Sequence, residues 1–185
     1  MTREQAHEIL CEHVQSESLR NHCRAVEASM RRYAELGGHD VEAWGVVGLL
    51  HDFDYELYPE APNHTRKGAE ILRERGLDEE SIGAILSHAT WNQEEYPLNT
   101  PLRKTLFAVD ELSGFITAVA LVRPNKLEGM KPKSVKKKLK TASFAAAVSR
   151  DDIHQGAEML GLSLDEHIAN CIEALQNRAE VLGLA

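Results

Sequence analysis

The stretch VEAWGVVGLLHD, from Val41 to Asp52, decides how the rest of the chain is interpreted. Apolar side chains occupy nearly every face that a helix would present, which predicts a buried helix. His51 and Asp52 stand at the end of this helix, where an imidazole and a carboxylate are costly unless something binds them. A divalent metal binds imidazole nitrogen and carboxylate oxygen together. The pair therefore predicts a metal site.

Helical periodicity dominates the chain, and no alternating strand pattern appears. We predict an all-α fold in which residues 1–185 form a single domain of about eight helices. The motif-bearing core covers about residues 18–122, and C-terminal helices cover 123–185. Capping boxes and N-caps mark several helix starts. The predicted helices start at Thr2, run from about Ser18 to Leu36, Val41 to Asp52, His64 to Arg75, Asp78 to Ala89, Thr100 to Val122 and Ser149 to Leu160, and start again at Ser163, with a further short helix over SVKKKLK.

Composition limits the class of protein. The longest apolar runs are far too short to span a membrane, and the polar segment MTREQAHEIL has no secretory core, which predicts a cytoplasmic protein without membrane association. The net charge is −8, but residues 123–140 hold eight basic residues and one acidic residue. The three cysteines lie far apart, which argues against a disulfide framework. They are Cys11, Cys23 and Cys171.

Other helices also place ionisable residues among apolar ones. Asp110 lies inside KTLFAVDELSGFITAVALV, where an ionised carboxylate needs a cationic partner or a metal. His22 lies early in the second predicted helix, His64 opens the fourth and His88 ends the fifth. A set of two imidazoles and two carboxylates suits a divalent ion with room left for water. The predicted ligands are His22, His51, Asp52 and Asp110.

The order His22, His51-Asp52, Asp110 resembles the HD superfamily of metal-dependent phosphohydrolases, over roughly residues 22–110. The resemblance implies an HD-type helical bundle in which these four residues bind one ion, and in which Asp52 can bridge to a second. The segment HTRKGAEIL resembles the helix that carries a histidine in binuclear members, here His64. ILSHA resembles their helix ending in His-His, with Ala89 in place of the second histidine. The implied cofactor is one divalent ion or two, of Mn, Fe, Co, Ni, Zn or Mg.

The chain differs from the cyclic-dinucleotide phosphodiesterases of that superfamily. It reads His51-Asp52-Phe53-Asp54-Tyr55, without the HDIGK continuation, and it has no GYP loop. The resemblance therefore implies a phosphohydrolase outside that subclass. The expected substrate is a small phosphorylated anion, a phosphomonoester or phosphodiester that we predict to be a nucleotide, cleaved by a water that the ion activates.

The remaining site residues follow from this chemistry. Asp52, Asp54 or His88 would orient or deprotonate the water. Arg66, Lys67 and His64 would hold the phosphate, and Lys67 lies three residues from His64, which on a helix gives a shared face. Tyr55 and Trp91, in the two loops beside the predicted ligands, would stack on a base or a sugar.

Two other functions stay open at the level of sequence. One is a regulatory module that keeps the metal and binds a nucleotide without turnover, because Ala89 and the missing lysine of HDIGK both depart from catalytic members. The other is binding of a nucleic acid or a protein through the basic residues 131–140. Nothing in the chain resembles a base-reading motif, so we expect no nucleic-acid partner.

Overall fold

The computed structural model describes residues 1–185, and the all-α prediction is confirmed. Nine α-helices follow one another, including a short one that covers most of SVKKKLK as predicted, and a single 3₁₀ turn lies at Thr90–Asn92. The helices are α1 (Arg3–His13), α2 (Glu17–Gly37), α3 (Val41–Leu50), α4 (Asn63–Glu74), α5 (Glu79–His88), α6 (Pro101–Leu121), α7 (Pro132–Leu139), α8 (Arg150–Met159) and α9 (Leu164–Gln176). No helix has the length and apolar character needed to cross a bilayer.

The predicted helix starts are formed by the expected side chains. Thr2 and Gln5 make a full capping box, as do Ser163 and Glu166. Thr100 caps α6, with Pro101 at the first helical position. These caps satisfy backbone N–H groups that have no partner inside a helix, and they fix where each helix begins.

Two long helices, α2 and α6, organise the bundle. Helix α2 packs on α3, α6 and α9, while α6 also packs on α5 and α8. One hydrophobic core joins residues from Ala6 to Leu184, so the C-terminal helices share it with the N-terminal ones. The candidate ligands lie at one edge of this core, on α2, α6 and the ends of α3 and α5.

Close packing of α3 on α2 depends on Gly48. A methyl group there would lie 2.9 Å from the Cα of Glu27 in α2. Seven of the ten residues of α3 are buried, including Trp44 and Leu50. Helix α3 is therefore the central buried element that the sequence predicted, and it ends directly beside the metal-binding candidates.

A buried histidine outside the candidate site ties α9 to α2 and α6. The Nε2–H of His167 donates to the carbonyl of Ala108 (2.9 Å), and its Nδ1 accepts from the Tyr33 hydroxyl (2.6 Å). Burial lowers the pKa of His167, because a protonated ring would be desolvated. His167 is therefore neutral in the folded protein.

This neutrality predicts a pH-dependent contribution to stability. An unfolded histidine takes up a proton below about pH 6.5, whereas the folded His167 resists it. The free energy of unfolding therefore decreases as the pH falls below 6.5. The decrease due to His167 is at most about 1.4 kcal/mol per pH unit. In denaturant titrations between pH 7.5 and 5.5, the stability advantage of the wild type over His167→Gln should shrink as the pH falls. The exposed His154→Gln is the control. A difference that stays constant with pH would contradict the prediction.

Candidate metal centre

Five segments bring histidine or aspartate side chains to one pocket. Helix α3 ends at Leu50. Asp52 lines the pocket, and the fully buried His51 does not line it but lies next to it, with its Nε2 3.1 Å from that of His22. The side chains come from α2 (His22), the end of α3 (His51 and Asp52), the start of α4 (His64), the last residue of α5 (His88) and the middle of α6 (Asp110).

Four donor atoms form one compact group. The Nε2 of His22 lies 3.0 Å from Asp110 Oδ1 and 3.1 Å from His51 Nε2. His51 Nε2 lies 3.4 Å from Asp110 Oδ1, and Asp52 Oδ2 lies 3.5 Å from His51 Nε2 and 3.6 Å from His22 Nε2. Donors that share one ion at about 2.1 Å stand about 3.0–3.4 Å apart. The group therefore has the spacing of a metal shell.

The other oxygen of Asp52 belongs to a second group. Asp52 Oδ1 lies 3.3 Å from the Nε2 of His64 and 3.3 Å from the Nε2 of His88. Ala89, the next residue along, lines the same pocket but offers no donor. Asp52 thus presents one oxygen to each group, as a carboxylate that bridges two ions would, and the second group has fewer ligands than the first.

Hydrogen bonds on the far side of three rings aim their Nε2 atoms inward. His51 donates Nδ1–H to the carbonyl of Gly48 (2.8 Å), and His88 donates Nδ1–H to that of Ile85 (2.6 Å). His64 donates Nδ1–H to Asp54 Oδ1 (2.9 Å). Metal-binding histidines have this arrangement, because the outer bond fixes the tautomer and leaves the inner nitrogen as a lone pair.

The electrostatics of the pocket also favour a cation. Burial opposes protonation of His51, but the carboxylates of Asp52 and Asp110 outweigh it and raise its pKa to about 9. Burial likewise opposes protonation of His64, and its two carboxylate partners raise its pKa to about 9. Burial would raise the pKa of Asp110, yet the neighbouring imidazoles hold it below its usual range. A divalent ion that displaced these protons would leave neutral imidazoles, and its charge would balance the two carboxylates.

The residues therefore fit a divalent metal. Their donors are nitrogen and oxygen, which Mn²⁺, Fe²⁺, Co²⁺, Ni²⁺ and Zn²⁺ accept, and no thiolate is present among them. Buried Cys23 lies near Asp52, but burial first, and then the negative charge of Asp52 and Asp110, raise its pKa. It stays a neutral thiol.

The pocket has a volume of about 460 Å³ and an acidic rim. Glu111 of α6 and Asp152 of α8 line it, and the sequence interpretation missed both. Burial, then repulsion by Asp110, raises the pKa of Glu111 to about 7. Glu111 could have been found from the sequence, because it is a carboxylate within an apolar helix, as Asp110 is. Asp152 had no such signal, since it opens an ordinary polar helix.

The structure places Lys67 and Arg66 away from the pocket. His64 and Thr65 have non-helical backbone angles, and Thr65 has φ +65°, so the regular part of α4 begins after them. The shared helical face expected for His64 and Lys67 is therefore not formed. Lys67 pairs with Glu70 at 2.8 Å instead, and Arg66 donates to Asn92 (2.9 Å) and Glu95 (2.8 Å).

The other predicted site residues differ in their placement. Asp54 is buried and does not line the pocket: its oxygens accept from His64 and from the backbone N–H of Gly68 (2.8 Å). Tyr55 and Trp91 do line it, at 45% and 46% exposure, with their rings edge-on to His64.

A larger groove of about 700 Å³ lies elsewhere, beside Trp44, and contains none of the candidate ligands.

Comparison with known proteins gives one result. The family model described as HD domain matches residues 19–114, just over half of the chain. The matched region contains every candidate ligand and Glu111, and it ends before Asp152. No curated protein and no solved structure matches the chain.

We expect the purified protein to bind divalent ions through these residues. His51→Ala and Asp110→Asn should each weaken binding more than about 100-fold, beyond the loss typical of an outer-shell change. His64→Ala should remove only the weaker of two ions if two bind. Isothermal titration calorimetry and elemental analysis provide the measurements, with the exposed His154→Ala as control. Binding that survives both His51→Ala and Asp110→Asn would show that the ion lies elsewhere.

Proposed function

The chain belongs to the HD domain family, and on that premise we propose that it is a metal-dependent phosphohydrolase. Water would cleave a P–O bond in a phosphomonoester or phosphodiester, and a nucleotide is the substrate expected from the sequence. The observation that carries the proposal is the position of Asp52. It turns one oxygen to His22 and His51 and the other to His64 and His88, beside an open pocket.

The ion would be held by His22, His51, Asp52 and Asp110, and a second by Asp52 with His64 and His88. A bound divalent ion supplies a Lewis acid for the phosphoryl oxygens and makes water more acidic. The chain itself holds the ligand side chains in fixed positions. His51 is fully buried, and its ring is fixed by the bond to Gly48.

His88 is the group best placed to accept a proton. Its Nδ1–H is committed to Ile85, so Nε2, which lies 3.3 Å from Asp52 Oδ1, is the nitrogen that faces the pocket. In a site with one ion, Nε2 would take a proton from the attacking water as the water oxygen bonds to phosphorus. The P–O ester bond would break, and the proton would then pass from Nε2 to the departing alkoxide, which leaves as the alcohol. Asp54 would act indirectly, since its bond to Nδ1 orients the ring of His64.

Hydrolysis and metal binding can be separated by mutation. With p-nitrophenyl phosphate and bis(p-nitrophenyl) phosphate under Mn²⁺, Co²⁺, Ni²⁺, Zn²⁺ or Mg²⁺, we expect release of p-nitrophenol by the wild type. His51→Ala and Asp52→Ala should lose both the ion and the activity. His88→Gln should keep the first ion, and its kcat should fall by about 10²–10⁴-fold, the range for loss of a general base. His154→Ala should match the wild type. Full activity in Asp52→Ala would refute the proposal.

A second function is supported by the two exposed aromatic rings. Tyr55 and Trp91 border the candidate ligands and could stack on a nucleobase. Ala89 leaves the second ligand group without a further histidine. Together these features also suit a regulatory module that holds a metal and binds a nucleotide without turnover.

Thermal denaturation distinguishes the two functions. If the protein is a nucleotide sensor, a nucleotide at 100 times its Kd should stabilise the metal-loaded protein by about 2.7 kcal/mol, with no phosphate or nucleoside released over hours. Trp91→Ala should abolish that stabilisation, and Trp44→Phe, in the other groove, should preserve it. Release of product by the stabilising nucleotide would favour the hydrolase.

A further inference from the structure

The pocket beside the candidate ligands contains no lysine or arginine. Twelve residues line it, and four of them are carboxylates. Asp52 and Asp110 face the imidazoles and would be neutralised by an ion. Glu111 and Asp152 have no such partner: Glu111 accepts one bond, from the backbone N–H of Ser149 (3.2 Å). These two carboxylates are free to meet a substrate.

Nearby basic residues are engaged elsewhere. Arg66 and Lys67 bind glutamates outside the pocket. Arg150, only two residues before Asp152, donates to the carbonyls of Ala145 and Val148, both at 2.6 Å. Its guanidinium also lies over the ring of Phe115, 5.0 Å from the centroid. No lysine or arginine side chain is left to pair with Glu111 and Asp152, so a positively charged group on the ligand would find both carboxylates unpaired.

The aromatic residues of the pocket suit the same kind of ligand. Trp91 and Tyr55 are about half exposed and line the pocket together with Glu111 and Asp152. An aromatic face attracts an organic cation through its quadrupole, and a carboxylate attracts it through charge and hydrogen bonds. An anion would be repelled by both carboxylates.

We propose that the substrate is a phosphate ester whose alcohol carries an ammonium group, which Glu111 and Asp152 bind. This inference rests on the proposed hydrolysis of a phosphate ester, and it replaces the nucleotide expected from the sequence with a different substrate class. The ion holds the phosphate end, the two carboxylates hold the ammonium end, and a volume of about 460 Å³ suits a small molecule. Esters with a second anionic group, including polyphosphates, are selected against by the same two carboxylates.

Three probes of similar size and different charge test the proposal. They are 2-aminoethyl phosphate, its uncharged isostere propyl phosphate, and the anionic carboxymethyl phosphate. With metal-loaded wild type, we expect kcat/KM to fall in that order, by at least about tenfold at each step, the change that one favourable charge contact produces.

Variants assign the preference to the two carboxylates. Glu111→Gln with Asp152→Asn should bring the first two probes to within about twofold of each other while the ion stoichiometry is unchanged. Asp151→Asn is the matched control, because Asp151 is exposed and lies next to Asp152 but does not line the pocket. It should keep the full preference.

The outcomes separate the two proposals. If none of the three esters, nor p-nitrophenyl phosphate, is hydrolysed, the hydrolase proposal fails, and calorimetry with the same intact esters measures the preference directly. Tighter binding of the aminoethyl ester, lost in the double variant, would then support the ammonium site alone. The inference is overturned if the wild type hydrolyses or binds the aminoethyl and propyl esters equally well, or if it binds neither ester. A lower ion stoichiometry in the double variant also overturns it, since the carboxylates would then hold metal.

Discussion

The candidate site depends on a positive charge held between its carboxylates. Asp52 and Asp110 lie within hydrogen-bonding distance of imidazoles, and His51, whose Nδ1–H is committed to Gly48, is fully buried. The Nε2 atoms of His22 and His51 lie 3.1 Å apart, and the ring tautomers decide which of them donates. Either protonated imidazoles or a bound metal would provide the positive charge that two carboxylates need in this setting. The raised pKa of His51 expresses the same requirement in the ion-free protein.

The backbone of two segments positions the side chains of this site. Helix α3 ends at Leu50, and His51 still has helical backbone angles (φ −57°, ψ −35°) before the chain continues in turns. At the start of α4 the chain adopts a left-handed conformation at Thr65, a strained angle for a β-branched residue. The buried Thr65 hydroxyl accepts a bond from Asn92 (2.8 Å), which helps to hold this turn and the orientation of His64.

Much of this could be predicted from the sequence, and the reasons are local. Capping residues and apolar periodicity gave the helices within a few residues, and the apolar surroundings of His51, Asp52 and Asp110 indicated which polar groups needed a partner. The role given to Lys67 rested on helical spacing from His64, and it lost that basis because the helix is irregular at that point. A positive φ at a threonine leaves no mark in the sequence. Asp152 was missed because its position depends on how α8 packs against α6, which is a long-range contact.

That contact is unusually close. On α8, a methyl group at Gly156 would lie 2.6 Å from the Cα of Ala108 on α6. Asp152 is one helical turn before Gly156, so the glycine sets how near Asp152 comes to the pocket. The matched family region ends at residue 114 and holds all the candidate ligands, whereas α8 lies beyond it. Substitutions in α8 would therefore change what lines the pocket beside the candidate ligands and leave the ligands themselves unchanged.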